Sequence, residues 1–115
     1  MTLEFPAMHL VTQQFNLGSP VNVPSTVQAQ WRSIRGELLL PPGSSIAVCV
    51  GSRGITRLAE VVSEVVSVLK QEGFTPFITS AMGSHGGADS DGQTELLAHL
   101  GITEDVIGAP VRVTM

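Results

Sequence analysis

The sequence predicts an α/β fold built on an open, mostly parallel sheet with a βαβαβ core, of the three-layer, Rossmann-like kind. Apolar runs at 46–50 and 74–81 have the content of buried strands. The segment between them repeats its apolar residues at helical spacing, and a third apolar run begins at Pro110 after another helical stretch. Strands that alternate with helices in this way favour parallel pairing.

The chain length predicts one domain. A chain of 115 residues is large enough for a single hydrophobic core. We expect residues 1–45 to form a strand and a short helix that pack on a βαβαβ core at 46–115. Because the third strand begins at Pro110 and reaches only to Met115, we expect residues 1–115 to be the N-terminal part of a larger two-domain protein.

The first 45 residues carry the weakest signals. Residues 7–15 have strand-like content with imperfect alternation. Ser25 is placed to cap a short helix, with Gln28 at the capping-box position. That helix would place an apolar face inward and end at Gly36 in the left-handed conformation; the residues of this face are Val27, Trp31 and Ile34.

The strands and helices of the core are predicted from clear hydrophobic patterns. Residues 46–50 are apolar on both sides of the pleat, which predicts a central strand covered by helices on both faces, with Cys49 as a small buried residue. Thr56 is a candidate cap for the next helix, and Gly73 ends it. The apolar residues of this helix repeat at helical spacing: Leu58, Val61, Val62, Val65, Val66 and Leu69.

A glycine-rich loop at 81–90 follows the second strand. Ser90 and Gln93 have capping-box spacing, and the helix they would open closes at Gly101. Its apolar stripe consists of Leu96, Leu97 and Leu100. One further helical turn is expected before Gly108.

Composition excludes several classes of function. The net charge is −4 and only 14% of the residues are charged, so no basic surface indicates nucleic-acid binding. No apolar run is long enough to cross a bilayer, and no signal peptide precedes the first strand, so we expect no membrane partner. The single cysteine permits no internal disulfide, and we expect a cytoplasmic protein.

Two glycine-containing loops follow the two core strands, at 51–54 and 83–87. Ligands of open α/β sheets bind beyond the carboxyl ends of the strands. If the strands are neighbours, about 4.8 Å apart, Arg53 and His85 come within reach of one small ligand. The arginine is a forked donor suited to a carboxylate or phosphate, and an imidazole can transfer a proton near neutral pH. The sequence thus predicts a site for a small anionic molecule.

The site residues follow from this placement. We assign proton transfer to His85 and predict no metal ligand. Substrate or anion binding falls to the polar and glycine residues of the two loops: Ser52, Arg53, Gly54, Ser84, Gly86 and Gly87. The alternatives are that His85 only holds the loop by a hydrogen bond, and that Arg53 braces the loop through backbone carbonyls.

The two loops resemble the nickel-dependent lactate racemase family, in particular the N-terminal domain of its lactate-racemase-like branch. The resemblance is carried by Val50-Gly51-Ser52-Arg53-Gly54-Ile55, Pro76-Phe77-Ile78, Ala81-Met82-Gly83-Ser84-His85-Gly86-Gly87-Ala88 and Gly101-Ile102-Thr103-Glu104. It implies two α/β domains around a nickel pincer nucleotide that accepts a hydride from the carbon bearing the substrate hydroxyl. It also implies that His85 takes the hydroxyl proton and that Arg53 helps to hold the substrate carboxylate.

The chain departs from the family pattern at four positions: Val50, Ser52, Gly54 and Gly86 stand where the family has aspartate, threonine, proline and arginine. The family's cofactor-attaching lysine, nickel-binding histidine and second catalytic histidine lie downstream of the matching region, and Lys70 on a polar helix face cannot replace that lysine. The resemblance therefore implies a substrate- and cofactor-site domain of a racemase or epimerase for a small 2-hydroxy acid, inactive alone, that needs a downstream domain or partner chain.

The residues are also compatible with two other functions. One is a non-catalytic module that binds an anion or nucleotide through the backbone of the loops. The other is an interaction domain completed by a partner chain at an open sheet edge, for which 111–115 is the expected strand.

Overall fold

The computed structural model describes residues 2 and 4–114. The described part of the chain is a mixed α/β structure with four α-helices and a two-stranded parallel sheet. The elements in chain order are α1 (Val23–Ile34), a 3-10 turn (Arg35–Glu37), β1 (Ser45–Val50), α2 (Leu58–Gln71), β2 (Thr75–Ser80), a second 3-10 turn (Gly86–Ala88), α3 (Ser90–His99) and α4 (Glu104–Ile107).

The two strands confirm the parallel βαβ unit at the centre of the fold. β1 and β2 pair in parallel register from Ser45 opposite Thr75 to Val50 opposite Ser80. The expected third strand at 110–115 is reduced to one parallel bridge between Ile78 and Val111, and Met115 lies outside the described residues. The sheet edge at this side is therefore formed by a very short segment.

The helices that share the main core pack on one face of the sheet. Val48 and Val50 of β1 point toward this core, whereas Ala47 and Cys49 on the opposite face of the strand are exposed. The predictions of a strand covered on both faces and of a buried Cys49 are therefore wrong for this structure. Apolar residues on both sides of a strand are compatible with burial of both faces, but the composition of the strand does not determine which face the described helices cover.

One hydrophobic cluster joins α2, α3, α4 and the sheet. Val66, Ile78 and Leu97 are at most 1% exposed and lie at its centre. The helical spacing predicted for α2 is confirmed, since Val62, Val66 and Leu69 are buried. Gly73 ends the helix with a φ of 83°, in the left-handed region that favours glycine.

The helix starts differ from the sequence predictions. Asn22 caps α1, and its Oδ1 accepts a hydrogen bond of 3.0 Å from the backbone N–H of Ser25. Gly36 lies in the 3-10 turn and does not have a positive φ. At the start of α2, Arg57 rather than Thr56 holds the cap position, in a left-handed conformation. A sequence offers several candidate capping residues, and the local chain direction decides among them.

The guanidinium of Arg57 is held at the start of α2. It pairs with Glu60, at 2.5 and 2.6 Å, and donates to the carbonyl of Val21 at 3.0 Å. The hydrogen bond and the charge of Glu60 raise the pKa of Arg57 above its ordinary value. The arginine therefore stays cationic and ties the chain before α1 to the start of α2.

Residues 4–22 precede α1, and all of them are exposed. The strand expected at 7–15 is not formed: these residues are exposed and pair with no strand among the described residues. No helix in the described ranges has the length and apolarity needed to cross a bilayer.

Cys49 provides a direct test of the uncovered sheet face. We expect the thiol to react with Ellman's reagent in the native protein at a rate within roughly tenfold of the rate in guanidinium chloride, because its side chain is exposed. The measurement is the absorbance of the released thiolate against time, with Cys49→Ser as the blank. A thiol that reacts only after denaturation would show that this face is covered.

Candidate functional site

The two loops meet at the carboxyl edge of the sheet because β1 and β2 are neighbours. The backbone N–H of Ala81 donates to the carbonyl of Val50 at 2.8 Å, which continues the strand pairing into the loops. Beyond this bond lies a cleft of about 530 Å³. Its walls are formed by Gly51, Ser52, Arg53, Ile55, Leu58, Ala81, Met82, Gly83 and His85. The structure therefore brings together the arginine and the histidine that the sequence singles out.

A hydrogen bond between Ser52 and His85 connects the two loops. It joins the Oγ of Ser52 to the Nδ1 of His85, and the Nε2 of His85 has no hydrogen-bond partner among the described residues. If Nδ1 carries the proton and donates to Ser52, Nε2 is left with a lone pair and can accept a proton. Ser52 is thus placed to orient the imidazole.

Among the described residues Arg53 has no acidic partner, and in this it differs from two other arginines of the chain. Arg35 pairs with Glu72 at 2.9 Å, and Arg57 pairs with Glu60. The side chain of Arg53 is exposed and makes no hydrogen bond or ion pair within the described part of the chain. No aspartate or glutamate is among the described residues that line the cleft. The guanidinium of Arg53 can therefore bind an anionic ligand without first breaking an ion pair.

The remaining predicted site residues do not line this cleft. Gly54, Ser84, Gly86 and Gly87 lie in the two loops but outside the cleft wall. Ser84 is exposed and makes no side-chain hydrogen bond within the described ranges. The cleft is therefore lined by only some of the predicted site residues, namely Ser52, Arg53 and His85.

Gly86 has a packing role instead. Its φ is 65°, and a Cβ at this position would lie 2.7 Å from the backbone carbon and oxygen of Gly92 in α3. A Cβ on Gly92 would lie 1.9 Å from the carbonyl oxygen of Gly86. Because both glycines lack side chains, the loop that carries His85 can rest directly on the first turn of the helix.

Gln93 holds the loop that carries His85, a role that the sequence interpretation missed. It is 2% exposed, and its Oε1 accepts a hydrogen bond of 2.5 Å from Ser80. Its Nε2 donates to the carbonyls of Gly83, at 2.8 Å, and His85, at 3.1 Å. One buried amide therefore connects the end of β2 to both sides of the loop. Its position four residues before the buried Leu97 is the signal that could have placed it on the inner face.

The start of α3 is closed by acidic residues of the chain itself. Asp89 is the cap, and its Oδ1 accepts from the N–H of Gly92 at 2.9 Å, so the predicted capping box of Ser90 and Gln93 is wrong. Asp91 lies in the first turn. These carboxylates already complement the positive end of the helix, which makes it a poor site for an external anion.

Other candidate ligand residues lie outside the cleft wall. His99, in the last turn of α3, has its Nδ1 3.0 Å from the carbonyl oxygen of Glu95. Lys70 donates from Nζ to the carbonyl of Gly108. The described ranges contain no group of three or more histidine, cysteine, aspartate or glutamate side chains that could hold a metal ion.

Comparisons with protein-family models, with curated proteins and with solved structures find no match to this chain.

Proposed function

We propose that this chain is the N-terminal substrate-site domain of a lactate-racemase-like racemase or epimerase that acts on a small 2-hydroxy acid and is inactive alone. The observation that carries the proposal is the cleft lined by both Arg53, which has no acidic partner among the described residues, and His85. An anion receptor next to a proton acceptor is the pair of groups that a hydroxy acid requires.

The two side chains would divide the substrate between them. The forked guanidinium of Arg53 binds the carboxylate through two parallel N–H···O bonds. The hydroxyl then lies toward His85, whose Nε2 accepts its proton while Nδ1 donates to Ser52. Hydrogen bonding to Ser52 stabilises the imidazolium that results. Apolar contact with Ile55 and Leu58 fits a short alkyl substituent.

The residues present do not fit the attachment of a nickel pincer nucleotide. Lys70 is held against α4 by Gly108, and the described donor set contains no cluster suited to nickel. A group that accepts the hydride would therefore have to be held by a downstream domain or partner chain.

The proposal includes a larger architecture. The exposed Ala47 and Cys49 show an apolar sheet face that further elements could cover, which would complete a three-layer, Rossmann-like sheet. A cytoplasmic location belongs to the same proposal and is supported by a composition with one cysteine.

The binding half of the proposal can be tested on this chain. We expect lactate to shift the amide resonances of the two loops in an NMR titration and 1,2-propanediol, which lacks the carboxylate, to leave them unchanged. Arg53→Gln is expected to weaken lactate binding by roughly 10- to 100-fold, which is the worth of a charge-assisted, bidentate hydrogen bond.

Arg32→Gln is the matched control. It removes the same charge from an exposed position on α1, where the guanidinium Nε donates to the carbonyl of Gln28, and should leave the affinity unchanged. Equal affinities for lactate in the wild type and in Arg53→Gln would contradict the proposal.

His85→Ala should retain carboxylate binding, since Arg53 supplies it, and should abolish isomerisation by the longest natural form of the protein.

A further inference from the structure

An apolar slot lies between α1 and the free edge of β1. It has a volume of about 430 Å³. The inner face of α1 and one side of β1 and α2 form its walls: Thr26, Val27, Gln30, Trp31, Ile34, Ile46, Ala47, Val48, Val65, Val68 and Leu69. None of these side chains is charged. The edge of β1 that borders the slot has no strand partner among the described residues, because β1 pairs only with β2.

The segment before α1 has the matching chemistry. Residues 4–21 form no backbone hydrogen bond with the described residues on the slot, and Glu4 is their only acidic or basic residue other than His9. The segment exposes six large apolar side chains at 69–99%: Phe5, Met8, Leu10, Val11, Phe15 and Leu17. Two phenylalanines alone present on the order of 300 Å². An apolar surface of this size, on a segment joined directly to the helix that forms one wall of an uncharged apolar slot, is typical of two surfaces that bind each other.

The chain direction favours the same segment as the occupant. The start of α1 lies beside the start of α2, since Arg57 donates to the carbonyl of Val21 at 3.0 Å. The two helix ends also meet, through the ion pair between Arg35 and Glu72. α1 and α2 therefore run side by side in the same direction, opposite to β1.

α1 begins at the edge of the sheet where β1 ends. A strand that leads into α1 must therefore also end at that edge, and so must run parallel to β1. In the resulting βαβ unit, residues 16–22 would connect the new strand to α1, and α1 would lead back to β1. This crossover has the same hand as the β1–α2–β2 crossover, because α1 packs against α2 on the same face of the sheet. The added strand would continue the sheet in the order 7–15, β1, β2, Val111.

We propose that residues 7–15 of this chain dock in the slot as a parallel edge strand on β1. The short tether favours the chain's own segment over a second copy, because seven residues give a high effective concentration. The carboxyl end of the docked strand would lie beside the 51–54 loop, so that Asn16 and its neighbours become a wall of the cleft. This docking does not require any particular ligand in the cleft.

Exposed Cys49 allows the docked strand to be trapped. Three single variants, Thr12→Cys, Gln13→Cys and Gln14→Cys, place a second thiol at successive positions of the segment. Successive strand residues point to opposite faces, so a docked strand should form a disulfide with Cys49 in an alternating pattern under oxidised glutathione. We expect one of two patterns. Either Gln13→Cys crosslinks and the other two variants do not, or Thr12→Cys and Gln14→Cys crosslink and Gln13→Cys does not.

Gel mobility without reductant and intact mass distinguish the outcomes. We expect a monomer that has lost two thiols. The same variants with Cys49→Ser, and Glu95→Cys on the exposed side of α3, are controls that should form no internal disulfide. A crosslinked dimer would show that a second copy fills the slot and would overturn the proposal. Absence of a disulfide, or equal crosslinking at all three positions, would equally show that the segment does not pair with β1.

Discussion

Replacing Gly92 by alanine is expected to lower the free energy of unfolding by about 3 kcal/mol. Glycine to alanine within a helix ordinarily stabilises a protein by about 0.5–1 kcal/mol, because the helix propensity rises. Here the new Cβ would lie 1.9 Å from the carbonyl oxygen of Gly86, a backbone atom that cannot rotate away. The loop that carries His85 must therefore move off α3. Urea unfolding followed by circular dichroism measures the change.

Gly36→Ala is the control for this prediction. No atom of the described residues lies within 4 Å of a new Cβ at this position in the 3-10 turn, and the φ of Gly36 is not positive. We expect a change of less than about 1 kcal/mol, in either direction. If Gly92→Ala were as stable as Gly36→Ala, the close contact between Gly86 and Gly92 would not exist in solution.

Gln93→Leu is expected to cost about 3 kcal/mol as well, for a different reason. The leucine fits a buried position of similar size but leaves the Ser80 hydroxyl and the carbonyls of Gly83 and His85 without their partner. Each unsatisfied, partly buried group costs about 1 kcal/mol or more. Thermal unfolding measures the loss. The loop should also become more mobile, which hydrogen exchange at its amides would detect.

Gln71→Leu separates this effect from the general effect of removing a glutamine. Gln71 is exposed near the end of α2 and makes one long hydrogen bond, of 3.3 Å, to Ser67. Its replacement should change stability by less than about 0.5 kcal/mol. Equal losses in the two variants would mean that the buried amide does not hold the loop.

Elements set by local periodicity could be predicted from the sequence. The spacing of Val62, Val66 and Leu69 determines both the helix and its buried face, since one side of a helix repeats every three to four residues. The neighbouring parallel strands followed from a short crossover. With that topology, Arg53 and His85 had to meet at one edge, and this part of the candidate site was predictable.

Features that depend on distant atoms could not be predicted. Cys49 lies in a run that looks buried, yet exposure is decided by which elements cover the sheet face. Gln93 has the spacing of a capping residue as well as of an inward-facing residue, and only the position of the loop decides between them. The caps at Asn22 and Asp89 likewise depend on how the chain enters each helix.

The contact between Gly86 and Gly92 is made by backbone atoms, whereas the hydrogen bonds of Ser52 and Gln93 to His85 depend on side chains. The loop rests on α3 through backbone atoms, so its course does not rely on the identity of the exposed Ser84. Side chains at such a position can change during evolution, or in the laboratory, without moving the imidazole. The course of the loop should therefore persist through substitutions of Ser84, as long as the two glycines are retained.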